Sequence, residues 1–543
     1  MADTVKVWQQ IGEQLRESAV ETVFGLMGDG NLRFIPHMTD ACGLRYVAAR
    51  HESGAIAMAD AYARVTGTVG VCTVTQGPGL TNALTALTEA AKAHSPLVLL
   101  LGDTPADDQA HNQNLDHAAV TGSVGVEHCR LASPRLVAGE IARALERAAR
   151  EQRPVALSIP IDVQDEDTPF NVTHRPLGGL VRAPDPSVVS AVATALERAE
   201  RPLILAGRGA VNADARGPLV DLADRLGALV VTTSMAKGLF SGYPYSLGLC
   251  GGFATDRGAE LIGQADVVVV FGSSLNPWTT RRGQIFAESA RLIRCDIREP
   301  TPGGLTAAHE TVLGDASLVA RALTDELAHR GFSGRGYRRD GLERGVVKLL
   351  PDRFDDESLP DRVDPRALMI AMDRMLPQER TVIVDSGYYV IFPTTLLSVP
   401  DARGFVFSQA FQSLGLGIGG AVGAAVARPD RLTVLVIGDG GLVMTLGELE
   451  TAARYRLPLL VIVMNDGAYG AEIHTMEELD LPTDHAFLQD VDAAAVARGL
   501  GFGASTVRTL ADCESLREWA VEPHGPYLVD CKINWRVLGN WGD

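Results

Sequence analysis

Apolar residues in this chain gather into short, nearly continuous runs, at 97–103, 155–162, 202–207, 229–233, 267–272, 433–437 and 459–464. Each is strand-sized, and the runs are uninterrupted where a half-exposed strand would alternate. Such runs predict strands buried on both faces, that is, parallel sheets covered by helices. Between them lie helix-like stretches. Residues 1–18 alternate charged and apolar positions as an amphipathic helix does. An alanine-rich segment with Ala55, Ala57, Ala59, Ala61 and Ala63 runs to Gly67, and residues 445–455 read as one helix. The expected fold class is α/β, with three doubly wound parallel-sheet domains. The blocks are 1–170, 183–330 and 366–543, with a charged, Arg/Asp/Pro-rich linker at 331–365 and a short tail after 533.

A chain of 543 residues exceeds one hydrophobic core, which agrees with three blocks. No apolar run approaches the ~20 residues of a membrane span, and the N-terminal stretch has no continuous apolar region of the secretory kind. The net charge of −18 argues against nucleic acid and anionic membranes as partners. Seven cysteines show no C-x-x-C spacing and several sit in apolar runs, so they read as reduced thiols of a cytoplasmic protein.

The chemistry concentrates at two strand ends. Gly438-Asp439-Gly440-Gly441 follows the run at 433–437, and Asn465-Asp466-Gly467 follows the run at 459–464. A strand turning into a helix through Gly-Asp-Gly-Gly presents free backbone N–H groups to an anion, and the glycines let the backbone approach it closely. Two carboxylates at neighbouring strand tips can share a hard cation, and Mg²⁺ takes oxygen ligands together with phosphate oxygens. The pair reads as a magnesium-diphosphate clamp. The first and third blocks also look like divergent copies of one unit. Val74-Thr75-Gln76-Gly77-Pro78-Gly79-Leu80 parallels Val436-Ile437-Gly438-Asp439-Gly440-Gly441-Leu442, and equal steps onward reach Leu97 and Leu459, each opening an apolar strand.

These motifs closely resemble the thiamine-diphosphate (ThDP) signature of the acetohydroxyacid synthase and pyruvate decarboxylase superfamily, Gly-Asp-Gly followed by Asn-Asn, with Asp466 in place of the second Asn. The resemblance implies the ThDP-enzyme fold, with pyrimidine-binding, central and diphosphate-binding domains. It implies Mg²⁺ held by Asp439, Asp466 and the carbonyl of Ala468, and a diphosphate near Gly438, Gly440, Gly441, Tyr469 and Gly470. Asp385-Ser386-Gly387-Tyr388 resembles the family's second diphosphate loop, which adds Gly387 and Tyr388. Glu52, in Arg50-His51-Glu52-Ser53-Gly54-Ala55, stands where the family's Glu bonds the aminopyrimidine N1′, so that the 4′-amino group can remove the thiazolium C2 proton. In Phe411-Gln412-Ser413-Leu414-Gly415, Leu414 falls at the position of the residue that bends the cofactor, and the carbonyl of Gln412 would accept from the 4′-amino group.

Within the superfamily the signals divide. Gly28-Asp29-Gly30-Asn31-Leu32 resembles pyruvate decarboxylases, as do Glu472 after Tyr469-Gly470-Ala471 and His117 at the place of a His pair. Asp29, His117 and Glu472 are therefore candidate proton-moving residues. Gly77-Pro78-Gly79-Leu80-Thr81-Asn82 resembles the synthases, and the central block matches theirs in organisation. Tyr243-Pro244 and Leu247-Gly248-Leu249-Cys250-Gly251 resemble stretches that lie against FAD in synthases. The strand end at Phe271-Gly272-Ser273-Ser274 lacks the Arg-Phe-Asp-Asp of the FAD-binding form, so FAD stays a doubtful addition. Met27, Gln76, Gln113 and Met476 are placed to line a substrate pocket. The expectation is a ThDP- and Mg²⁺-dependent enzyme that decarboxylates a 2-oxo acid and then protonates or carboligates the product carbanion. The alternatives are a lyase acting on acyloins or diketones, or a ThDP-fold protein without turnover. The resemblance implies a site shared between two subunits, hence a homodimer at least and a homotetramer as the fuller assembly.

Overall fold

The computed structural model describes residues 4–539, apart from 176, 179–180, 300–307, 335 and 341–353. Residues 335 and 341–353 of the expected linker are therefore outside the described residues. Its far end is described, where Asp364 caps helix Pro365–Met375 by accepting from the Arg366 N–H.

Three six-stranded sheets carry the fold. In the first the spatial order is Arg45–Ala48, Thr22–Gly25, Gly70–Val74, Leu97–Asp103, Pro154–Pro160, Glu127–Arg130, parallel throughout. The last sheet runs Phe405–Phe407, Arg380–Val384, Leu432–Gly438, Leu459–Asn465, Tyr527–Lys532, Gly503–Val507. Both sheets order their strands second, first, third, fourth, sixth, fifth along the chain. The same topology twice supports the duplication read from the glycine motifs. The middle sheet is also parallel, in the order Ser246–Leu249, Leu229–Thr232, Pro202–Ala206, Val267–Phe271, Arg291–Asp296, Glu310–Leu313.

Each of the seven continuous apolar runs forms a strand of these sheets, because central parallel strands are covered on both faces. Leu97–Asp103 and Leu459–Asn465 are buried at every position. The helix expected at 445–455 forms as Gly447–Arg454. Helix Asp439–Met444 stops at Thr445, whose hydroxyl donates to the carbonyl of Gly415 at 2.9 Å, and a second helix runs from Gly447 to Arg454. That bond pulls the chain out of helical register at a residue with weak helix propensity.

Two compact units emerge. One comprises Met1–Gly179, Ile383–Gly387 and Val406–Ile533; the other comprises Leu180–Val382, Tyr388–Phe405 and Asn534–Asp543. The first unit holds the first sheet and most of the last. Its core is continuous between them, because helix Glu52–Thr66 packs on helix Gly417–Ala427. The latter is buried along nearly its whole length, and its small residues bring the two backbones close. The middle sheet has its own core in the second unit, around Ile204, Val230, Val269 and Ile293.

Candidate active site

Strands Leu432–Gly438 and Leu459–Asn465 are parallel neighbours with Gly438 opposite Met464, so the residues after their ends emerge side by side. Asp439 opens its helix and is 5% exposed; Asp466 is 4% exposed. Their side chains are hydrogen-bonded to each other. Burial pushes the Asp439 carboxyl up to about 6, against the pull of backbone N–H groups of Asp439 and Gly440, the Asp466 side chain and the more distant Lys532. Two buried carboxyls in contact cannot both ionise unless positive charge joins them. The donor set is therefore all oxygen and short of cationic charge, and it fits a hard divalent cation.

The chain beyond Asp466 turns back on itself. Asp466 Oδ1 accepts the Ala468 N–H at 3.0 Å, the Gly467 carbonyl accepts from Leu488 at 2.7 Å, and Tyr469 donates its N–H to Ala486 at 2.9 Å. Tyr469 is 40% exposed, and Gly470 begins helix Gly470–Glu478.

Asp385 organises the second loop, which sequence reasoning named without finding its anchor. Its two oxygens accept the N–H groups of Gly415 at 2.8 Å and Gly417 at 3.0 Å. Complete burial pushes this carboxyl up to about 7. A side chain at Gly441 would put its Cβ 2.6 Å from Asp385 Oδ2, so the second glycine after Asp439 is required by a carboxylate as much as by any ligand. Gln412 is held at φ 60°, a costly conformation for a residue with a side chain, and its carbonyl accepts from Ser386 at 3.3 Å. Leu414 is half-buried in the same loop. Gly387 belongs to this unit, whereas Tyr388 begins a stretch of the other unit and packs edge-on against Tyr389 there.

A buried ion network anchors the start of the Gln412 loop. Glu89 accepts the N–H groups of Ala410 at 3.1 Å and Phe411 at 2.6 Å and pairs with Arg64 at 3.3 Å. Arg64 also pairs with Asp60 at 2.7 Å and donates to the Phe407 carbonyl at 3.0 Å. The sequence did carry one signal for it, a charged Asp60–Arg64 pair at helical spacing within an alanine-rich, buried helix.

Glu52 lies in the first turn of helix Glu52–Thr66 and is 6% exposed; Asn82 Nδ2 donates to its Oε2 at 3.1 Å. Asn82 comes from the Thr-Asn end of the Gly-Pro-Gly segment, which gives that motif a job inside the protein. The entry to the helix is clamped from the neighbouring domain. Glu448 Oε1 accepts the N–H groups of Arg50 at 3.0 Å and His51 at 2.9 Å. Sequence reading missed Glu448, since nothing in its own helix marks a partner nearly 400 residues away.

The remaining candidates sit differently. Asp29 is exposed, with its carboxylate 3.6 Å from Arg33. Asn31 is fully buried and fixes the Gly28–Leu32 turn by accepting from Gly28 at 2.8 Å. Gln76 donates to Gln113 at 2.9 Å, bringing those two pocket candidates together. His117 is buried, and its Nδ1 meets Ser158 Oγ at 2.9 Å, an atom that His128 also reaches at 2.8 Å. Burial lowers the His117 pKa, which favours the neutral ring. Glu472 is exposed in the first turn of helix Gly470–Glu478.

Residues 5–120, 189–323 and 385–531 match the N-terminal TPP binding, central and C-terminal TPP binding domains of thiamine pyrophosphate enzymes. The chain is 30% identical over 470 residues to the acetolactate synthase large subunit of Parasynechococcus marenigrum, covering 84% of this chain and 75% of that protein. It is 28% identical over 489 residues to the sulfoacetaldehyde acetyltransferase of Alcaligenes xylosoxydans xylosoxydans, covering 84% and 80% of the two chains. In fold it is similar to the Rhodococcus jostii RHA1 thiamine diphosphate-dependent 4-hydroxybenzoylformate decarboxylase, with a TM-score of 0.82, 23% identity, and 98% and 99% of the two chains covered.

Proposed function

The chain belongs to the thiamine pyrophosphate enzymes of the acetohydroxyacid synthase and pyruvate decarboxylase superfamily, and from that premise we propose that it is a Mg²⁺-dependent 2-oxo acid decarboxylase or carboligase. The observation that carries this reading is the buried Asp439–Asp466 pair at adjacent strand ends. In this reading Asp439, Asp466 and the Ala468 carbonyl hold Mg²⁺. Gly438, Gly440, Gly441, Tyr469, Gly470 and Gly387 surround the diphosphate. When bound, thiamine diphosphate supplies a thiazolium carbon that adds to the substrate carbonyl and takes up the electron pair released as CO₂ leaves.

The chain's own residues do the rest. Glu52 holds a proton at the pyrimidine N1′, kept in place by Asn82 and by the helix entry that Glu448 clamps. Leu414 supports the cofactor's bent shape, and the Gln412 carbonyl orients its amino group. Asp29, His117 and Glu472 are the candidates for delivering the proton that completes an aldehyde. The relatives named acetolactate synthase favour a second outcome, transfer to another carbonyl compound in place of protonation. A homodimer at least, and a homotetramer by extension, agrees with the apolar side chains left exposed near the clamp: Phe411, Val443, Met444 and Tyr469. The seven free thiols, six of them buried, favour a cytoplasmic setting.

The test is to incubate purified protein with thiamine diphosphate, Mg²⁺ and a panel of 2-oxo acids, measuring CO₂ and identifying products by NMR. CO₂ with an aldehyde supports the decarboxylase reading, and Glu472→Gln should then slow aldehyde release most. CO₂ with an acyloin or acetohydroxy acid supports the carboligase. No CO₂ from any 2-oxo acid would overturn the proposal and turn attention to acyloins and diketones as substrates.

A further inference from the structure

We propose that Glu13, His37 and Cys42 form a second metal site, for Zn²⁺ or a similar thiophilic divalent cation, separate from the Asp439–Asp466 pair. One ligand atom of each residue lies within 4.8 Å of the other two. Among the described residues it is the one such His/Cys/carboxylate cluster. A tetrahedral Zn²⁺ with bonds of about 2.0–2.3 Å holds its ligands roughly 3.3–3.8 Å apart, so small side-chain rotations close the site. His37 Nε2 and Glu13 Oε1 are already 3.6 Å apart. Glu13 contributes one oxygen only, since Oε2 accepts from Arg16 at 2.5 Å.

Three further observations suggest a built site. The His37 Nε2 atom is buried without a hydrogen-bond partner, although the ring is oriented by Trp8 packed edge-on at 5.4 Å. Cys42 is carried back over helix Phe34–Asp40 by the turn that ends it, its N–H bonded to the His37 carbonyl at 3.1 Å. Opposite, helix Val7–Glu17 has Gly12 in its interior, a residue that costs a helix about 1 kcal/mol relative to Ala. A Cβ there would lie 3.0 Å from Cys42 Sγ and 3.2 Å from His37 Cδ2, so the glycine makes room for the sulfur and the ring. Thiolate, imidazole and carboxylate together suit Zn²⁺. Glu13 and His37 are only half-buried, which leaves an entry path and a fourth position for water. Without metal, burial and then Glu13 push the Cys42 thiol up to about 11. Metal binding would reverse this and release that proton. The site would tie helix Val7–Glu17 to helix Phe34–Asp40, which follows directly on the Gly28–Leu32 turn that presents Asp29.

The test uses the full chain already saturated with thiamine diphosphate and Mg²⁺, titrated with Co²⁺. The expected result is one further equivalent per chain with a thiolate-to-cobalt absorption band in the near ultraviolet, displaced by Zn²⁺. The band should vanish in Cys42→Ser, and affinity should fall roughly tenfold or more in the milder His37→Gln. Zn²⁺ should raise Tm in the parent and not in the variants. Absence of a thiolate band, or an unchanged band and stoichiometry in His37→Gln, would overturn the proposal.

Discussion

Asp439 and Asp466 show how little of a site is its residue types and how much is their surroundings. In the cofactor-free chain Asp439 titrates at about 6, against roughly 3.9 in an unfolded chain. The native state then binds more protons than the unfolded state between those values. Its contribution to stability is full below about 4 and is lost as pH rises through 6. Calorimetry from pH 4.5 to 7.5 should therefore show Asp439→Asn flattening the decline of the cofactor-free protein, and identical slopes would contradict the account. The Gly-Asp-Gly and Asn-Asp spacing made both residues legible, since close backbone approach demands glycine wherever it occurs. The anchoring roles of Asp385, Glu89 and Glu448 were not legible. Each binds backbone N–H groups supplied by a distant segment, in the case of Glu89 more than 300 residues on. Removing such an anchor should matter. Glu89→Gln is expected to weaken thiamine diphosphate binding several-fold by calorimetric titration, because the N–H groups of Ala410 and Phe411 lose a charged acceptor.

At the level of elements, helices Glu52–Thr66 and Gly417–Ala427 join the two duplicated domains through small residues. A Cβ on Gly423 would collide with the backbone carbonyl of Met58. Gly→Ala in a helix ordinarily stabilises by roughly 0.5–1 kcal/mol. Gly423→Ala should instead destabilise by about 1–3 kcal/mol through overpacking. Gly139, in helix Val137–Glu151, has nothing near its missing side chain, so Gly139→Ala should follow the ordinary rule. Urea unfolding of the two variants measures both, and the same sign in each would refute the packing argument. The central strands were readable because parallel strands covered on both faces keep a continuous apolar pattern. The break at Thr445 between helices Asp439–Met444 and Gly447–Arg454 was not, since it depends on the Thr445 hydroxyl reaching Gly415.

For the whole molecule, the strand order repeated in the first and last sheets is the feature that periodicity alone could not give. The parallel between residues 74–80 and 436–442 hinted at it. If cofactor and metal bind only the folded chain, thiamine diphosphate at a hundred times its Kd with Mg²⁺ should stabilise by about 2.7 kcal/mol, and chelating the metal should reverse the gain in Tm. A Tm indifferent to chelation would remove Mg²⁺ from the account. NMR of bound cofactor in deuterated water, following exchange of its C2 proton, measures whether Glu52 and the clamp together hold and activate thiamine diphosphate. Exchange should be fast on the parent protein and fall roughly 10²-fold or more in Glu52→Gln with cofactor still bound. Equal exchange rates in the two proteins would contradict that role of Glu52.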